Sequence, residues 1–165
     1  MRNHEIELTQ QTIADFIQSQ ATCVKKMLLH GRPESILPEA ASGACFDITV
    51  LLAWKIRQNF LKIFLFDLVG LGKDLTVHNG HHVLGFSANT TEFSYADGTI
   101  WQIRPQEKEI YVSQPFNSQE QLLEELRDTY TGIWIARDIN RCLTRECVKE
   151  KIQYLKHRHQ RPPRR

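Results

Sequence analysis

The chain is poor in the features that would place it in an oxidising or membrane setting. Only four cysteines occur in 165 residues, Cys23, Cys45, Cys142 and Cys147, with no C-x-x-C pair among them. Residues Met1–Glu5 lack the apolar segment of a classical signal peptide. A disulfide framework is therefore not expected, and reduced thiols in a cytoplasmic protein, or in one delivered to a target cell, are. Long hydrophobic runs are missing too. The longest, from Phe60 to Leu71, is broken by Lys62, Asp67 and Gly70 and is too short to span a bilayer. No membrane partner is expected. Neither an internal repeat nor a low-complexity block precedes residue 157.

What remains has ordinary globular composition, 41% hydrophobic and 24% charged, which fits one domain over residues 1–157 with a single core. The net charge of +2 is unevenly spread. Residues 149–165 hold seven Lys/Arg and one Glu, so the preceding body is net acidic. Residues 158–165 read as a basic, disordered tail that lacks aromatics for base stacking, so nucleic acid is not an expected partner beyond weak tail binding.

Hydrophobic periodicity predicts an amphipathic helix from Thr9 to Leu29, stopped by Gly31 and Pro33. A loop to Gly43, with Ser42 as N-cap or the residue before it, leads into a largely apolar helix from Ala44 to about Lys62. Ile63–Val69 reads as a buried strand. A turn over Thr76–Gly80 follows, and from His81 the period changes to two. Strands are expected through Phe86, over Phe93–Asp97, Thr99–Arg104 and Glu109–Gln114, most simply as an antiparallel meander. Ser118–Tyr130 carries a capping-box-like start, Gly132–Ala136 reads as a short strand, and Asn140–His157 as a final helix.

Three positions carry chemistry. Cys45 opens the central helix, where unpaired N–H groups and about half a positive charge favour a thiolate. A histidine, His81 or His82, starts a strand, and Asp97 ends the next one, close enough across an antiparallel pair to orient an imidazole. That is the logic of a nucleophile, a base and an orienting acid. If Leu84 and Phe86 face the Cys45 helix, His82 shares their face, so His82 is the expected base, with His81 pointing away toward solvent or His78. A one-residue change of register would exchange them. The Cys45 N–H is the expected first oxyanion donor; Glu39 and Ser42 are the nearest upstream polar candidates for a second. His78, His81 and His82, with Cys142 and Cys147, fit no common zinc spacing, so neither metal nor cofactor is expected.

Gly43-Ala44-Cys45-Phe46-Asp47-Ile48, His81-His82-Val83-Leu84-Gly85-Phe86 and Tyr95-Ala96-Asp97-Gly98-Thr99 stand in order, with 37 residues from Cys45 to His82 and 15 from His82 to Asp97. This set resembles the papain-like and transglutaminase-like superfamily of cysteine enzymes, which includes arylamine N-acetyltransferases, glutamine deamidase effectors and bacterial papain-fold toxin domains. The resemblance covers about residues 40–105. It implies an α+β fold in which the Cys-bearing helix packs on an antiparallel sheet, with extra helices at both ends. It also implies a Cys45-His82-Asp97 triad acting on amide bonds of other proteins, glutamine side chains or peptides, as deamidase, protease or acyltransferase. A protein substrate is then the expected partner, with an inhibitor or immunity protein as a further one. The alternative is a noncatalytic module that uses the same scaffold and the basic tail to bind a partner.

Overall fold

The computed structural model describes residues 10–70, 80–130 and 132–158. The expected helix start at Thr9, the turn over 76–79, His78 and the tail beyond Arg158 lie outside them. Among the described residues the fold is α+β, with five α-helices and a five-stranded antiparallel sheet. Helix α1 (Gln10–Leu29) is followed by a 3-10 turn (Glu34–Ile36), α2 (Leu37–Ala41) and α3 (Cys45–Ile56). Strands β1 (Lys62–Gly70), β2 (His82–Ser87), β3 (Ser94–Asp97) and β4 (Tyr111–Val112) form the meander. After α4 (Gln119–Tyr130), β5 (Ile133–Arg137) pairs with the free side of β1, and α5 (Arg145–His157) closes the order.

The sheet has apolar residues on both faces, so it is covered on both. Leu65, Leu84, Phe86 and Ala96 join α1, α2, α3 and α5 in the larger core. Phe66, Leu68, Val83, Tyr95 and Trp134 face α4 through Leu122 and Leu126. Helix α3 is apolar nearly all round and lies between the sheet and the other helices, with nine of its twelve residues buried. Such a helix is a rigid mount for whatever its first turn carries.

Several local expectations change. Helix α3 ends at Ile56 rather than near Lys62: Asn59 N–H bonds the Ile56 carbonyl at 2.9 Å, and the chain turns so that Phe60 packs on Phe86, ring centroids 4.8 Å apart. The N-cap is Ala44, without a side-chain cap, and not Ser42. The expected strand over Thr99–Arg104 is instead a 3-10 turn at Ile100–Gln102, because Ile100 and Trp101 bury themselves in the helical core. Arg158, expected in a free tail, reaches back from α5, its guanidinium donating to the carbonyls of Ala40 (3.1 Å) and Ser42 just before the Cys45 turn. Helix α4 has the expected cap: Ser118 Oγ accepts from Gln121 N–H at 3.2 Å, and the Gln121 side chain accepts from Asn117 N–H at 3.1 Å.

Candidate active site

Gly43 enters the site region with φ of +69°, a left-handed turn that glycine adopts without strain. The chain then starts α3, placing Cys45 at the first helical position, 6% exposed. The Cys45 amide is one of the first-turn donors with no acceptor inside the helix. Thr49, one turn on, donates from Oγ1 to the His82 carbonyl at 3.3 Å and so ties β2 to the helix. As a result Cys45 Sγ stands 3.3 Å from His82 Nδ1. The imidazole is also held by the edge of Phe46, ring centroids 5.2 Å apart.

The partner of His82 is not Asp97. His82 Nε2 lies 3.2 Å from Asp67 Oδ1, and the second oxygen of Asp67 accepts from Arg137 Nε at 2.8 Å. Asp67 stands directly opposite His82 in the β1–β2 ladder, and Arg137 comes from β5 on the far side of β1. A carboxylate on Nε2 keeps the proton of the neutral ring there and leaves the Nδ1 lone pair facing the sulfur.

Asp97 bonds His81 instead, Oδ2 to Nε2 at 2.8 Å. Register explains the exchange. Leu84 pairs with Ala96 and Gly85 with Tyr95, so Asp97 belongs to the face of Val83 and Tyr95 and not to that of His82. His81, expected to point away, is 7% exposed, its ring 5.5 Å from that of Tyr130 and 6.2 Å from that of Trp134. Asp97 is fully buried and fully used: Tyr130 Oη donates to Oδ2 at 3.0 Å, and Thr99 N–H to Oδ1 at 2.9 Å. Gly98 lets this corner approach α3, since a Cβ there would meet Ile48 Cγ2 at 2.7 Å.

The charges follow from this geometry. Burial alone would raise the Cys45 pKa, but hydrogen bonding with His81 and His82 and the positive charge of both rings lower it from 9.0 to about 6. Burial works against the charged form of His81 as well, yet the charge and hydrogen bond of Asp97, helped by Cys45, push its pKa up to about 10. Near neutral pH His81 is thus a fixed imidazolium and Cys45 a thiolate. Burial first, and then the neighbouring Asp97 charge, push the Tyr130 hydroxyl upward, so it stays a donor. Asp47, in the same first turn of α3 as Cys45, would oppose the thiolate. It is neutralised by Lys151 of α5, 2.8 Å away.

No family, curated protein or solved structure matches this chain. The site therefore rests on its own geometry. Of the three residues expected from the sequence, the structure brings Cys45 and His82 together, while the acids divide between two pairs: His82 with Asp67, and Asp97 with His81. Sequence reasoning missed Asp67, Arg137 and Tyr130. Asp67 had a signal, because a lone acid within the apolar run Ile63–Val69 is costly unless something pairs with it. Trp101 is fully buried in the helical core, and Glu39 and Ser42 are exposed at the end of α2. Among the described residues no cluster of three His, Cys, Asp or Glu side chains forms a metal site, and no single helix is long and apolar enough to cross a membrane.

Proposed function

We propose that the protein is a papain-like or transglutaminase-like thiol enzyme that attacks amide carbonyls of other proteins. Glutamine side chains or peptide bonds are the substrate, and Cys45 is the nucleophile. The observation that carries this reading is the 3.3 Å approach of Cys45 Sγ, at a helix N-terminus, to a histidine whose other nitrogen meets a carboxylate at 3.2 Å.

In this reading the Cys45 thiolate adds to the carbonyl carbon, and the Cys45 N–H, one of the unpaired first-turn amides, stabilises the developing oxyanion. His82 holds the former thiol proton on Nδ1 and passes it to the departing ammonia or amine as the C–N bond breaks. Water, or an acceptor amine, then adds to the thioester while His82 Nδ1 takes its proton, and the thiolate leaves. Asp67 orients His82, and Arg137 fixes Asp67. His81 takes no part as a base, since its proton is held too tightly by Asp97; its charge favours the thiolate.

The test is ammonia release and peptide cleavage measured side by side on unfolded glutamine-rich proteins, for wild type and Cys45→Ala. Release or cleavage by wild type alone supports the enzyme and tells deamidation from proteolysis. Equal, background-level behaviour over a broad panel, together with an unreactive Cys45, would leave the noncatalytic partner-binding module.

A further inference from the structure

A groove of about 760 Å³ lies toward the opposite end of β1 from His82, where β1 begins and β5 ends. Its size is in the range of ligand-binding clefts. Phe60 and Phe64 contribute apolar surface, while Arg57, Lys62 and Arg137 supply three cations against the single acid Asp138. That balance runs against the body of the chain, which is net acidic. Arg57 is stacked on the Trp54 ring, 3.4 Å from its centroid, which holds the guanidinium in place. Among the described residues neither Arg57 nor Lys62 has a carboxylate partner.

Two features join this groove to Cys45. Arg137 lines the groove, and its Nε is bound to Asp67, the partner of His82. Only one donor of the guanidinium is used there, and others remain for an anion. Strand β5 is also the outer strand of the sheet, and it runs from Arg137, paired with Leu65 at the groove, to Ile133, paired with Gly70 at the end nearer the site. Its outer edge offers backbone donors and acceptors to an extended chain.

We propose that this groove docks an extended acidic segment, carrying at least one large apolar residue, of the protein that Cys45 attacks. The carboxylates meet Arg57, Lys62 and Arg137, the apolar side chain rests on Phe60 and Phe64, and the segment follows β5 toward the thiol. The inference takes from the enzymatic reading only the identity of the occupant as substrate; binding itself does not need turnover.

Fluorescence anisotropy of a fluorescein-labelled Glu-Glu-Leu-Glu-Glu peptide with the full chain bearing Cys45→Ala tests it. Saturable binding is expected, weakening as salt rises from about 0.05 to 0.5 M. Lys62→Glu, at an exposed position, should weaken it about tenfold or more with an unchanged melting temperature, and the same peptide with lysine in place of glutamate should not bind. Equal binding of both peptides, or wild-type affinity in both Lys62→Glu and Arg57→Glu, would overturn the docking site. Because nothing is turned over, failure here leaves the reactivity of Cys45 untouched, and an inert Cys45 leaves the groove standing.

Discussion

His81–Asp97 and His82–Asp67 flank the same thiol from neighbouring positions in the chain, yet one pair is sealed and the other is open to water. The side chains of His81 and Asp97 are 9% and 0% exposed, whereas those of His82 and Asp67 are 21% and 16% exposed. In the sealed pair every polar atom of the carboxylate is committed, to His81, Tyr130 and Thr99. In the open pair the carboxylate shares itself between His82 and the half-exposed guanidinium of Arg137. A buried ion pair holds its charge state because either member alone would be stranded in a poor dielectric. The same two residue types thus form a sealed ion pair in one place and a pair open to water in the other.

The largest difference should appear in stability. Asp97→Ala strands a buried imidazolium and two donors, and unfolding in urea should show a loss of about 3–5 kcal/mol. Asp67→Ala leaves only groups that water can reach, and should cost about 1 kcal/mol or less. Similar losses in the two variants would mean that the pairs are not distinguished by burial. Next comes activity. His82→Ala should fold with a near-wild-type melting temperature and lose about 10²–10⁴-fold in turnover, and Asp67→Asn should lose less, since it disturbs only the orientation of the ring. A His82→Ala variant with full turnover would remove His82 as the base.

A smaller effect sharpens the contrast through pH. On folding, the His81 pKa rises from 6.5 to about 10, so its pairing stabilises fully below about pH 6.5 and that contribution is lost as pH climbs through 10. Cys45 moves the other way, from 9.0 to about 6, so its thiolate stabilises above about pH 9 and the contribution is lost as pH falls through 6. Between pH 6.5 and 9 the two slopes offset each other in the wild type. In Cys45→Ala only the His81 slope remains, and the urea midpoint should fall steadily above pH 6.5, levelling off at a pH below the wild-type His81 value of about 10 because the thiolate no longer helps to raise it. Parallel profiles for the two proteins would show that the thiol and the sealed imidazole do not share charge.

The elements that hold the thiol were legible in the sequence because each carries a local signal. Gly43 before an apolar helix marks the Cys45 turn, and the alternation after His81 marks a strand whose Leu84 and Phe86 face α3. The pairing of histidine with acid was not legible. Val83, Leu84, Phe86, Tyr95 and Ala96 are all buried, so β2 and β3 show no polar face by which a register could be chosen, and one residue of slip moves Asp97 from one histidine to the other. Asp67 was hidden for a related reason: within an apolar strand it reads as an interruption until β2 is laid beside it. The turn at Ile100–Gln102 escaped because burial of Trp101 against the helices outweighs the β-propensity of Thr99–Ile103.

If two imidazoles with different access to water create one thiolate, the rate of Cys45 alkylation by iodoacetamide against pH, read by mass spectrometry of the intact protein, will show it. Wild type should react selectively at Cys45 with an apparent pKa of about 6, and His82→Ala and His81→Gln should each move that pKa upward toward the ordinary thiol value of about 8.5. Titration of Cys45 in the wild type near the ordinary thiol value of about 8.5, with reaction no faster than at Cys23, would mean that neither imidazole activates the thiol.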